Sequence, residues 1–162
     1  RLKKRRKKMT ILKFIPRAPP PRLLYVLASM GHGDEIVLAD ANFPSESVAK
    51  ANNAEIVRMD AVNVPEVLKA VCTLMPLDTY EKPAAVMAVT DHDLGKVDPS
   101  PVWNTFSTIM EEEEKSKIEL EEVERFAFYE RAKNAYCIVA TGESALYGNL
   151  ILKKGVLGPE EA

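Results

Sequence analysis

The chain has 162 residues, is 46% hydrophobic and carries a net charge of −2, which fits one globular domain with one sizeable core. The charge is unevenly placed: ten of the 22 basic residues lie in positions 1–22, no acidic residue precedes Asp34, and the remainder holds 12 basic against 24 acidic residues. An acidic body argues against nucleic-acid binding, which needs a basic face rather than a basic tail, and no run approaches the ~18 consecutive apolar residues of a membrane span.

The opening Arg1-Leu-Lys-Lys-Arg-Arg-Lys-Lys8 is expected to belong to a disordered basic leader, residues 1–20, ahead of an α/β domain over 21–162. A block of this sign would attract nucleic acid, anionic lipid or an acidic partner, but like-charge blocks are usually solvated and unstructured. Pro19-Pro-Pro21 then leads into Arg22–Met30, a short helix closed by Gly31, since proline suits a first helical turn and glycine the residue past the last. Glu35–Ala41 is too short and apolar for a surface helix and reads as a strand buried on both faces.

Ser45–Lys50 supplies one or two helical turns and Glu55–Met59 a second strand. Val64–Met75 has apolar residues at helical spacing, with Pro65 at its start and Pro76 just past its end. Ala84–Val89 is a third strand, Thr90–Pro101 a polar loop, and Val102–Glu114 a helix. The acidic stretches Glu111–Glu114 and Glu119–Glu124 are expected to be solvated surface. Val123–Asn134 follows as a helix, and Ala135–Ala140 and Asn149–Lys153 as two further strands. Helices alternating with short β-branched runs predict a single α/β domain whose mostly parallel or mixed sheet is covered by helices.

Cys72 and Cys137 are isolated in apolar stretches and no signal-peptide pattern opens the chain, so both read as buried free thiols of a cytoplasmic protein. Two widely spaced histidines and two cysteines make no convincing metal site. The sequence also lacks a phosphate-cradling glycine loop, HExxH, CxxC and GxSxG.

Five places carry polar chemistry. His32 stands between Gly31 and Gly33; a histidine titrates near neutrality and suits proton transfer on a neutral substrate, although a surface histidine completing a helix terminus would look the same. Asp40 closes the run Ile36–Ala39, where ligands of α/β sheets collect, or where a turn aspartate would sit. Asp78, in Pro76-Leu-Asp-Thr-Tyr80, taken alone is a turn residue. Arg125 and Tyr129 are four apart, which on a helix puts a donor and a phenol on one face, toward a common ligand or toward separate structural partners. Tyr147-Gly148-Asn149 enters the last strand with a glycine that lets the backbone approach a ligand and two side chains able to bond hydroxyls.

The segments Met30–Pro44 and Thr141–Gly155, with Pro76–Tyr80 and Glu124–Lys133 between them, resemble the fucose mutarotase / ribose pyranase family, most closely its animal-type fucose mutarotases, from about Leu23 to Leu157. The resemblance implies an isomerase that interconverts the α and β anomers of free L-fucose without a cofactor or metal. It implies His32 and Tyr129 as the proton-transfer groups and Asp40, Asp78, Arg125, Tyr147 and Asn149 as sugar contacts. It also implies a homo-oligomer whose sugar sites lie at subunit contacts. A D-ribose pyranase, or a non-catalytic sugar-binding or regulatory protein on the same fold, is the alternative.

Overall fold

A computed structural model describes residues 12–159. The elements follow in the order α1 (Pro21–Ser29), β1 (Glu35–Ala39), α2 (Ser45–Asn52), β2 (Glu55–Met59), α3 (Val64–Leu74), β3 (Ala84–Met87), α4 (Ser100–Glu114), β4 (Leu120–Val123), α5 (Arg125–Lys133), β5 (Cys137–Thr141) and β6 (Leu150–Lys153). The start signals are visible: proline occupies the first turn of α1, α3 and α4, and the Asn63 side chain accepts from the Glu66 amide to cap α3. The basic run Arg1–Lys8 lies outside the described residues. Residues 12–20 form turns and bends, Pro19 is buried, and Ala18 packs against the core.

The six strands form one sheet in the order β2-β5-β1-β6-β3-β4. β5 runs parallel to both β1 and β2, and β3 parallel to β4, while β6 is antiparallel to β1 and β3. The sheet is therefore mixed, with five strands pointing one way and β6 the other. Alternate side chains go to opposite faces. Ile36, Leu38, Cys137, Val139, Leu150 and Leu152 join the core that includes residues of α1, α3 and α4; Val37, Ala39, Ile138 and Ile151 join the core that includes residues of α2 and α5. A sheet covered on both faces explains why these strands are near-continuous apolar runs. Cys72 and Cys137 are free and buried in the first core.

Two expectations are corrected. The segment Glu119–Glu124 is not only solvated surface: Leu120–Val123 forms β4 at the sheet edge. Charge on an edge strand discourages pairing with other chains, and here Glu121 also accepts from Arg131 at 2.8 Å. Consequently the helix expected from Val123 begins at Arg125. The Glu124 carboxylate accepts from the Phe126 and Ala127 amides and fixes that start.

Arg131 ties α5 to two strands, donating to both oxygens of Glu35 and to Glu121. Lys153 adds ion pairs to Glu35 and Glu81. This charged cluster closes the edge at which β1 begins, the edge opposite the cavity described below.

Candidate active site

Because β6 is antiparallel, its first residues reach the same edge as the last residues of β1, β3 and β4. Asp40 follows β1, Met87 ends β3, Arg125 opens α5 after β4, and Asn149 precedes β6. These residues, with Asn42, Phe43, Asp93, Tyr129, Leu146 and Tyr147, line a cavity of about 230 Å³. That is small beside the roughly 300–1,000 Å³ of pockets for drug-sized ligands and suits a compact polar molecule.

Asp40 and Asn149 form its floor as a reciprocal pair. The Asp40 amide donates to Asn149 Oδ1 at 2.8 Å, and Asn149 Nδ2 donates to Asp40 Oδ2 at 2.7 Å. The Asn42 amide donates to Asp40 Oδ1 at 2.9 Å. Burial pushes the Asp40 carboxyl up from its ordinary range, against those bonds from Asn42 and Asn149 and one from the Phe43 amide. Three bonds leave one of the four carboxylate lone pairs, so Asp40 can still accept from a ligand hydroxyl.

The i,i+4 spacing on α5 does what helix geometry requires: the Arg125 guanidinium lies 5.7 Å from the centre of the Tyr129 ring. Tyr129, with the nearby Tyr147 and Asp93, raises Arg125 further above its already high range, so it is a permanent cation at the mouth. Tyr129 rests against Phe43 with ring centres 5.6 Å apart, and Phe43 meets Phe128 at 6.2 Å. That aromatic packing holds the phenol toward the cavity.

Tyr147 adopts φ +59°, a left-handed conformation that non-glycine residues seldom take. Trp103 Nε1 donates to its carbonyl at 3.0 Å and holds the turn. A Cβ on Gly148 would come within 2.9 Å of the Ala145 carbonyl oxygen, so only glycine allows this close turn into β6.

His32 and Asp78 are elsewhere. His32 lies in the turn before β1, where the Gly31 amide donates to the Asp34 carboxylate at 2.7 Å and Gly33 takes φ +85°. Asp78 is tied through its amide to the Lys153 carbonyl at the end of β6. Within one chain, the length of β1 alone separates this edge from the cavity by about 13 Å. The structure thus brings Asp40, Arg125, Tyr129, Tyr147 and Asn149 together, and places His32 with Asp78 in a second cluster.

In that cluster His32 Nε2 is 3.1 Å from Asp78 Oδ1, with the imidazole 47% exposed and the carboxylate 3% exposed. Burial acts to raise the Asp78 carboxyl, but bonds from His32 and from the Tyr80 and Glu81 amides outweigh it and hold the group below its ordinary range. A carboxylate accepts only, so Nε2–H donates to it and Nδ1 becomes the basic atom of the neutral ring. Taken alone in the sequence, Asp78 read as a turn residue; in the fold it orients the imidazole.

The sign of that shift has a consequence. A carboxyl with a lowered pKa in the fold stabilises above its unfolded value, and the contribution is lost as pH falls through the folded value. Asp78→Asn is therefore expected to melt below the wild type near neutral pH, with the gap closing under about pH 4. Thermal melts across a pH series measure this, and a gap independent of pH would contradict it.

Some lining residues carried no sequence signal. Asp93 sits in a polar loop that looks like ordinary solvent-facing chain, and Phe43 and Met87 look like core. Trp103, the only tryptophan, was the one available hint. His92, the second histidine, is exposed.

The family model described as "RbsD / FucU transport protein family" matches residues 15–157, and the chain belongs to that family. It is 58% identical over 153 residues to the fucose mutarotase of Danio rerio, covering 94% of this chain and 99% of the relative. Among solved structures it is similar to FucU from Bifidobacterium longum, with TM-score 0.83 and 49% identity over 90% of this chain and 100% of the other. It is also similar to a fucose mutarotase from Streptococcus pneumoniae in complex with L-fucose, with TM-score 0.81 and 45% identity over 91% and 100% of the two chains. Among the described residues, no helix is long and apolar enough to cross a membrane.

Proposed function

We propose that this chain is a cytoplasmic fucose mutarotase that interconverts the α and β anomers of free L-fucose. The observation that carries the reading is the small cavity in which Asp40, Asn149, Arg125 and Tyr129 converge at one sheet edge. Identity of 45% to 58% with fucose mutarotases, over at least nine-tenths of the chain, supports it.

The reaction moves protons and needs no cofactor. An acid protonates the ring oxygen while a base removes the proton of the anomeric hydroxyl. The C1–O5 bond breaks to give an aldehyde, rotation about C1–C2 turns its other face, and closure reverses the proton movements. His32 and Tyr129 are the proton-transfer pair; Asp40, Arg125, Tyr147 and Asn149 line the cavity that holds the sugar, and Asp78 fixes the imidazole. Positioned acid–base groups of this kind contribute about 10²–10⁴-fold in rate.

Since His32 and Tyr129 stand at opposite sheet edges within one chain, the working site takes them from two copies of a homo-oligomer. The His32–Asp78 cluster of one copy caps the cavity of its neighbour. Saturation-transfer NMR on L-fucose at anomeric equilibrium tests the activity: exchange well above the buffer rate, unchanged by EDTA, is expected. Exchange at the buffer rate with micromolar protein would overturn the enzymatic reading. Faster exchange with D-ribose than with L-fucose would instead favour a pyranase.

A further inference from the structure

The hydroxyl of Tyr147 is fully engaged within the protein. It donates to Asp93 Oδ2 at 2.6 Å, and the Thr90 amide donates to it at 3.3 Å. Thr90 Oγ1 lies 3.2 Å away and, with the phenol proton committed to a carboxylate that only accepts, supplies the second donor. One donor and two lone pairs are thereby used, and nothing remains on this oxygen for a ligand.

Asp93 is in the opposite condition. Its carboxylate lines the same cavity and is one-third exposed. Among the described residues its Oδ1 has one charged partner, His92 Nε2, at 4.0 Å and on a side chain 86% exposed, which is beyond hydrogen-bond reach. The backbone holds it in place: the Asp93 amide donates to the Thr90 carbonyl, and the Asp93 carbonyl accepts from Lys96 and Val97. Across the cavity mouth stands Arg125, whose pKa is raised in part by the Asp93 charge. A carboxylate with open lone pairs opposite a guanidinium matches a pair of sugar hydroxyls, one donating and one accepting.

We propose that Asp93 is a sugar-binding residue of this cavity, accepting a hydroxyl proton from the substrate through Oδ1, and that Tyr147 acts as its positioning residue. The proposal rests on the reading of the cavity as a monosaccharide site. It gives the phenol a different task from direct contact: the Tyr147 hydroxyl, backed by Thr90, turns the carboxylate inward, while its ring forms part of the wall.

The test measures binding of L-fucose and its monodeoxy analogues to the wild type, Asp93→Ala, Asp93→Asn and Tyr147→Phe by NMR titration, with melting curves as a check on folding. A hydrogen bond to a charged group contributes roughly 10- to 100-fold in affinity. Asp93→Ala is expected to weaken L-fucose by about that factor. It should also abolish the wild type's discrimination against one deoxy analogue, whose missing hydroxyl is the one Asp93 binds. Tyr147→Phe should weaken binding less and keep that discrimination. Asp93→Asn retains shape and a carbonyl acceptor, and serves if the alanine variant is unfolded; it should show a smaller loss and a blunted discrimination. Wild-type affinity in both Asp93 variants, or undiminished discrimination among the analogues, would overturn the proposal while leaving the sugar site intact. A wild type that binds no L-fucose would overturn the sugar site and this proposal together.

Discussion

His32→Ala is expected to lower kcat for L-fucose anomer exchange by about 10²–10⁴-fold while the affinity for the sugar changes little. The half-exposed imidazole has Nε2 on the buried Asp78; as a proton-transfer group, its interaction would belong to proton movement in the transition state. Loss of such a group appears in kcat rather than in ground-state binding. Tyr129→Phe keeps the ring packed on Phe43 and removes only the hydroxyl, so a comparable kcat loss marks that hydroxyl as chemical. Asp40→Asn should act mainly on affinity, because a hydrogen bond from Asp40 to the sugar would be made in ground and transition state alike. Exchange rates from saturation transfer, set beside affinities from titration, separate the three. Equal and modest effects from all of them would mean that solvent carries the protons and the cavity only orients the sugar.

Much of the fold was legible because a sheet covered on both faces demands continuous apolar strands. Glu55–Met59 matched its strand residue for residue, and the strands begun at Glu35 and Ala84 and ended at Lys153 were each found to within one or two residues at their boundaries. The helix over Val64–Leu74 carried both its cap and its proline signals. β4 was not legible, since Leu-Glu-Glu-Val at an edge has no apolar face to betray it and its charges look like loop.

The site was legible residue by residue but not as an arrangement. Local sequence contains no information on whether the last strand runs parallel or antiparallel, and that direction alone decides that Asn149 meets Asp40 while Lys153 meets Asp78. His32 precedes β1 and Tyr129 follows β4, so the common direction of those two strands puts the pair at opposite edges, which no spacing along the chain could indicate. Asp93 was hidden for a different reason: its role depends on a contact 54 positions away, in a loop whose composition resembles any solvated turn.

The central claim is that the proton-transfer pair is assembled from two copies of the chain. His32→Ala and Tyr129→Phe, each nearly inactive alone, can be co-expressed so that mixed oligomers form. In such oligomers a site that takes His32 from the Tyr129→Phe copy and Tyr129 from the His32→Ala copy is intact. Saturation-transfer exchange on L-fucose is therefore expected to recover to a substantial fraction of the wild-type rate in the mixture and to remain near background in either parent. Mixed oligomers, verified by differential tagging, that show no recovery would contradict a shared site, as would full wild-type activity in a particle that light scattering shows to be a strict monomer.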